Sequence, residues 1–541
     1  MHPSRREALT LALATAGAVA IPAETAGQSR PDAVACDRAP RLHGRPGVEG
    51  QRRASLGDGR YVNPVLSGDR PDPSILKDGA DYYATFSSFQ YYPGIPIWHS
   101  RNLIDWTPIA AALRTNIGIV WALDIAKHDG RYFIYIPTLD DSERPQKTFV
   151  IHASSMSGPW SEPIDMKLDG FIDPGHAVGE DGQRYLFFNG GRRVRISADG
   201  LSAVGPVEHV YSGWPIPDDY VIEGFALEGP KVLRRGEWFY LISGQGGTAG
   251  PPTSHMVVVA RSRSIDGPWQ NCPHNPVVRT LSRDEPWWSR GHGTAVEAPD
   301  GSWWLAYHGY ENGFRTLGRQ MLLEPITWTE DGWPRAAGGD LSTPIVAPRG
   351  GLPGPHGTKM SNFSPDMFGT KMQFFDPAKG DYLRRASVNE GVLTLAGQGV
   401  GPANSSPLLF VAGDRSYELS VEVEILGTSI AGVTLFYNDK LFCGLAIGPG
   451  QLHAYRIGQE ERWPPGAKID ATRLHIRAVN DENVVTFFYS RDGRNWTKDR
   501  SVEVAGYNHN VADGFLSLRP GVFAAGDGRA RFRNFQYRAR G

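Results

Sequence analysis

Cysteine is almost missing from this chain. Cys36, Cys272 and Cys443 are the only three in 541 residues, and none stands in a metal-type pairing. Three cysteines cannot all pair within one chain, so a disulfide framework is not expected, and Cys272 and Cys443 read as small buried residues. An excess of either charge is missing too: 56 basic residues face 58 acidic ones, for a formal net charge of −2. With no Lys/Arg run, the electrostatic footprint of a nucleic-acid binder is absent, and no anionic partner is implied. Beyond the first residues, no segment approaches the roughly 18 apolar residues of a membrane span. Helix signals are scarce throughout. Glycine, with 64 residues, and proline, with 41, are plentiful, and aromatic residues make up 11% of the chain, including 15 Trp. That composition suits many short strands joined by turns.

The N-terminus reads as a targeting segment. Ser4-Arg5-Arg6 precedes an apolar stretch from Ala8 to Ala20, and Ala18-Val19-Ala20 offers a small-residue cleavage site. Paired arginines in this position point to twin-arginine export. The expectation is a signal over residues 1–26, a polar, Pro/Gly-rich tether over 27–60, and a mature protein that is periplasmic or extracellular and not membrane-bound.

A phrase of about ten residues then recurs five times: LKDGADYYATFSSF around Gly79, KHDGRYFIYI around Gly130, GEDGQRYLFFN around Gly182, LRRGEWFYLIS around Gly236 and APDGSWWLAYHG around Gly301. Each copy is a polar pair ending in Gly, followed by an aromatic run. The Gly supplies the positive φ of a tight hairpin turn, and the aromatic run is a strand. The glycines are 51, 52, 54 and 65 positions apart. A period near 50 made of strands and turns marks a β-propeller with one four-stranded blade per repeat, so five copies predict five blades. A weaker echo, a Ser-initiated loop ending in Trp106, Trp160 or Trp269, reads as a structural motif with Trp packing between blades.

The chain is too long for one core, and two domains are the natural division. The propeller is expected over 61–347. Residues 348–360, which include PRGGLPGPHG, form a linker by composition. From 361 to 541 the chain shows alternating segments such as YELSVEVEIL, AGVTLFYN, LFCGLAIG and VVTFFYS, cut by Gly, Asp and Asn. They predict a β-sandwich of jelly-roll, concanavalin-like type. The fold class is therefore all-β.

The innermost strand of each blade lines the axial channel and comes just before the hairpin turn. Upstream of the five turn glycines stand Asp72 in GDRPDPS, Asp124 in WALD, Asp173 in FIDPGH, Glu228 in LEGP and His292 in GHGT. Acids in short apolar segments are costly unless paired or used. Matching positions in five blades favour use. Several carboxylates around one sugar-sized pocket is the arrangement for cleaving a glycosidic bond, with one acid protonated and another ionised. Spacing does not decide which acid does which.

The stretch from Asn63 to Pro334 resembles glycoside hydrolase family 43, five-bladed propeller enzymes that include β-xylosidases, α-L-arabinofuranosidases and arabinanases. The resemblance rests on NPVLSGDRPDPS, WHSRNLIDW, IDP, EGP, GHG and LGRQMLLEPITWTEDGWP. It implies Asp72 as general base, Glu228 as general acid, and Asp173 as the acid that orients Glu228 and tunes its pKa. It implies inversion in a single displacement. Arg319 matches a family arginine that reaches the sugar and the acids. His292 resembles a family histidine near a central water or a calcium-type ion; no cofactor is needed for the chemistry itself. Trp121 matches the family's Trp-Ala-Pro, except that Leu123 replaces the Pro, and stands as a sugar platform. Phe89 and Tyr91 are placed as pocket walls, and Asp124 as substrate-binding. The C-terminal region resembles the sandwich of family xylosidases, which can lend a loop to the active-site rim.

The expected function is removal of terminal β-D-xylose or α-L-arabinofuranose from plant-type polysaccharides or oligosaccharides. The alternatives are an endo-arabinanase or galactose-type glycosidase of the same family, a carbohydrate-binding role for the sandwich, and a propeller lectin that binds without turnover.

Overall fold

The computed structural model describes residues 45–46, 50–139, 146–354 and 360–540. The expected signal, Cys36 and most of the expected tether lie outside those residues.

Five antiparallel blades succeed one another. Their innermost strands are Ser74–Asp78, Asp124–His128, Gly175–Val178, Glu228–Arg235 and Trp287–Glu297. The strands that follow them inside each hairpin are Asp81–Thr85, Arg131–Leu139, Arg184–Phe188, Trp238–Gln245 and Trp303–Glu311. All five repeat glycines sit in these hairpins with φ between 60° and 78°. The local requirement for a left-handed residue therefore sets the period of the whole domain. The echo tryptophans are structural: Trp106 donates its indole N–H to Leu103 O of its own turn, and Trp269 of blade four packs edge-on against Phe187 of blade three.

Residues beyond 360 form two packed sheets of eight and seven strands. The eight-stranded sheet borrows an edge from the propeller, because Gln373–Phe375 pairs with Tyr91–Tyr92 of blade one. One apolar core runs from Ile97, Val120 and Ile134 of blades one and two to Phe374, Leu435 and Phe523 of the sandwich. No helix among the described residues is long and apolar enough to cross a membrane.

Residues 50–56, within the expected polar tether, are packed against the propeller, with Gln51 and Ala54 buried, while 57–60 are exposed. Arg52 is the reason. Its guanidinium grips both oxygens of buried Glu311 at 3.0 and 2.7 Å, while Arg415 of the sandwich donates to Glu311 Oε1 at 2.9 Å and Gln320 to Oε2 at 2.9 Å. A charge that composition reads as solvated is thus the counter-ion of a buried carboxylate. Burial alone would raise Glu311, but Arg52 and Arg415 overcome it and bring the carboxyl down to about 2. A depressed carboxylate stabilises the fold above its ordinary pKa and loses that contribution as pH falls toward the folded value. Glu311→Gln should therefore cost on the order of 3 kcal/mol at neutral pH, as the buried carboxylate that pairs with Arg52 and Arg415 is lost. Thermal midpoints of variant and wild type should differ by several degrees at pH 7 and converge between about pH 4.5 and 2. A constant difference over that range would show that the pair contributes nothing through its charge.

Candidate active site

Asp72, Asp173 and His292 each hold a φ of 58°, a conformation that non-glycine residues rarely adopt. In three blades, the backbone at the axial end of the inner strand is twisted in the same way, turning a polar side chain toward the centre. Glu228 opens the inner strand of blade four, two residues after Ala226 at φ 37°. Strain of this kind persists only where the surroundings over-determine it, and it clusters at functional sites.

Asp72 is the most heavily held of these groups. Ser87 donates its hydroxyl to Oδ2, Arg319 donates to Oδ1 at 3.0 Å, and His308 Nδ1 and His292 Nδ1 lie 3.1 and 3.4 Å from Oδ1. Burial pushes the carboxyl up, but the Arg319 guanidinium, joined by His292 and His308 when they are protonated, outweighs it and holds Asp72 well below the usual carboxylate range. The surroundings of Asp72 therefore favour its ionised form.

Asp173 is its opposite. It is buried, and the charges of Glu228 and Asp72 face it, so it is pushed well above the ordinary value against the single N–H of Gly229, which donates to Oδ2 at 3.0 Å. Glu228 is drawn down: burial raises it, but the hydrogen bond and charge of His255 and the charge of His292 oppose that. His292 is itself lowered to about 4 by burial, so above that pH it has no charge to offer. The opposed shifts favour a proton on Asp173 over one on Glu228, and as close neighbours the two titrate as a pair. Gly229 is obligatory here, since at φ 59° an added Cβ would stand 2.6 Å from His292 Nε2.

Such a site can do two things at once. An ionised carboxylate can accept a proton from water, while a protonated pair can deliver one to a leaving oxygen.

A family model for glycosyl hydrolases family 43 matches residues 61–334. The chain belongs to that family. It is 27% identical to a non-reducing end alpha-L-arabinofuranosidase of Bacteroides ovatus over 520 residues, which cover 88% of this chain and 93% of that protein. It is 32% identical to a xylan 1,3-beta-xylosidase of a Vibrio species over 326 residues, 52% of this chain and 58% of that protein. The crystal structure of the GH43 BlXynB protein from Bacillus licheniformis superposes with a TM-score of 0.78 at 26% identity, covering 89% of this chain and all of that one. This family 43 chain is a five-bladed propeller joined to a β-sandwich, and it is a glycoside hydrolase acting on carbohydrate.

Of the residues named from sequence, Asp72, Asp173, Glu228, His292 and Arg319 come together. Phe89 joins them, its ring 5.7 Å from the Arg319 guanidinium carbon. Trp121 is half-buried beside this end of blade two, its backbone N–H donated to Pro137 O. Two placements are corrected. Asp124 is no sugar ligand: Lys231 at 2.6 Å and Ser74 at 2.8 Å occupy Oδ1, and the His176 N–H occupies Oδ2 at 2.7 Å. Tyr91 does not wall the pocket either, being fully buried in the contact between domains with the Arg519 guanidinium carbon 3.4 Å from its ring centroid.

The calcium-type ion fits poorly. A hard cation takes about six to eight oxygens, whereas His292 Nδ1 faces Asp72 and its Nε2 faces the Gly229 backbone. Among the described residues no three His, Cys, Asp or Glu side chains converge as a ligand set.

Four contributors escaped the sequence reading. Ser87 donates to the Asp72 carboxylate, His308 Nδ1 accepts the Asp72 amide N–H, and His255 Nε2 stands 3.0 Å from Glu228 Oε1. Phe515 comes from the sandwich: it stacks on His509 at 3.9 Å, and the Arg319 guanidinium carbon lies 5.3 Å from its ring. No spacing within the propeller could have announced it.

Proposed function

We propose that this enzyme is an exported, inverting exo-glycosidase that removes terminal β-D-xylose or α-L-arabinofuranose. The observation that carries this reading is Phe515, a sandwich residue set against Arg319 beside the acids. A wall supplied by a second domain closes one side of the channel, which favours a chain end over the middle of a polymer. The named activities of the Bacteroides and Vibrio relatives support a pentose. Export rests on the N-terminal Ser4-Arg5-Arg6 and the apolar stretch after it.

In the proposed reaction the Asp72 carboxylate takes a proton from water as the water oxygen attacks the anomeric carbon from one face. Glu228 gives the proton it shares with Asp173 to the glycosidic oxygen as that bond breaks on the other face, and Asp173 keeps Glu228 oriented. One water is consumed and the anomeric configuration inverts. The carboxyl groups of Asp72 and Glu228 should accordingly stand roughly 6.5–9.5 Å apart, with room for the water. Arg319 fixes Asp72 and reaches toward the sugar hydroxyls.

Turnover of 4-nitrophenyl β-D-xyloside and 4-nitrophenyl α-L-arabinofuranoside, with the anomer of the first product read by proton NMR, tests this directly. Hydrolysis of at least one with inversion is expected. Retention would refute the single displacement. Inactivity on both, with cleavage inside arabinan or of a galactoside, would refute the pentose exo assignment.

A further inference from the structure

His255 is the most buried ionisable group near Glu228, at 0% exposure, and proton transfer from Glu228 alone leaves its chemistry unused. It precedes the third strand of blade four, and the fold makes room for its ring. An added Cβ at Gly291 would lie 2.4 Å from the ring, and one at Gly244 would lie 2.9 Å from its Nε2 and 3.3 Å from Glu228 Cγ. On its other side stands His308, also at 0% exposure, whose Nε2 is 3.2 Å from His255 Nδ1.

The protons on both rings depend on which atom of Asp72 bonds to His308 Nδ1. The amide N–H of Asp72 donates to His308 Nδ1 at 3.1 Å. The amide can only donate to Nδ1, whereas Asp72 Oδ1, also 3.1 Å from it, can only accept; with the amide's bond formed, Nδ1 of His308 is bare and the proton of the neutral ring sits on Nε2. Burial, with Arg319 nearby, keeps that ring neutral. His308 Nε2–H faces Thr248 Oγ1 at 3.1 Å and His255 Nδ1 at 3.2 Å. A second N–H cannot face it, so His255 Nδ1 is bare in turn, and Nε2 of His255 carries the proton. That is the atom 3.0 Å from Glu228 Oε1. The contact is bent from the ring N–H axis, as catalytic hydrogen bonds often are before substrate binds.

We propose that His255 is a positioning residue for the reaction: with its tautomer set through His308 by the Asp72 amide, it donates Nε2–H to Glu228 Oε1 and leaves Oε2 as the oxygen that carries the transferable proton. The base and the acid are then linked by two neutral imidazoles, and the carboxylate formed after proton transfer has a donor waiting. This role rests on Glu228 being the general acid. The other groups facing Glu228 are Asp72, Asp173, His292 and Arg319, and those facing His308 are Asp72 and Arg319.

His255→Leu and His255→Gln, assayed on 4-nitrophenyl and 2,4-dinitrophenyl glycosides of the preferred sugar, test the role. His255→Leu should lose roughly tenfold or more in kcat/KM on the poorer leaving group, part of the ~10²–10⁴ available from the whole acid, and little on the better one. The basic limb of its pH profile should move to higher pH, because a donor to the Glu228 anion is gone. His255→Gln, which keeps an amide N–H near Nε2, should recover much of the loss. Equal losses on both substrates with an unmoved basic limb would reduce His255 to packing and overturn the proposal. Glu228→Gln run alongside separates the two assignments: full activity there refutes the acid itself, whereas loss there with no leaving-group dependence at His255 refutes only the positioning. Should the variants not fold, a neutron structure of the wild-type protein decides, with deuterons expected on Nε2 of both rings. A deuteron on His255 Nδ1 would overturn the proposal.

Discussion

Asp72→Asn is expected to lose about 10²–10⁴-fold in kcat/KM, on good and poor leaving groups alike. The substitution keeps the shape of the side chain and leaves an oxygen to accept from Arg319, but it removes the carboxylate that Arg319 holds ionised to act on water. No leaving group can compensate, because the missing step is deprotonation of water. The variant should also be less stable, since the buried Arg319 guanidinium would lose its anionic partner, and breaking such a pair costs about 3–5 kcal/mol. Activity should therefore be measured below the variant's own thermal midpoint. In the wild type, Asp72 works as the anion and sits well below the usual range, so activity should persist as pH falls through the ordinary carboxylate pKa. An acidic limb near pH 4–5 in kcat/KM would mean that the ionising base is some other group.

Much of this site was legible in the chain because it depends on local requirements. A left-handed glycine at each inner hairpin marks the blade, and counting back along the inner strand reaches Asp72, Asp173, Glu228 and His292. The same count reached Asp124, and there it misled. Asp124 occupies the equivalent register, but Lys231, three residues after Glu228 in another blade, neutralises it. Register says which end of a strand a residue occupies, and only the neighbouring blade says whether the charge is already spent. Tyr91 failed for a related reason, since its strand is the edge to which the sandwich adds Gln373–Phe375. His255 and His308 lie outside the inner strands, beyond the reach of that count, and Gly244 and Gly291 leave the space that His255 fills beside Glu228. Arg52 and Glu311 are 259 residues apart in sequence, so the packing of the supposed tether had no local signature at all.

Glu228→Gln should show the complementary pattern. On a 4-nitrophenyl glycoside it should lose about 10²–10⁴-fold, because an amide cannot protonate the departing oxygen. On the 2,4-dinitrophenyl glycoside it should approach wild-type rates, since that leaving group departs as an anion without help while Asp72 still activates water. The pH profile should change as well. Asp173 is held high by burial and by the charges of Glu228 and Asp72, and the neutral amide of the variant removes one of those charges. Asp173 should then ionise at lower pH, and the basic limb set by the shared proton should vanish for the dinitrophenyl substrate. Asp72→Asn assayed on the same pair should show no such rescue. Equal rescue of both variants would mean that neither residue acts on the leaving group alone, and the division into base and acid would have to be abandoned. Failure to rescue Glu228→Gln would place the defect before bond cleavage, in binding or in the geometry that His255 and Asp173 impose.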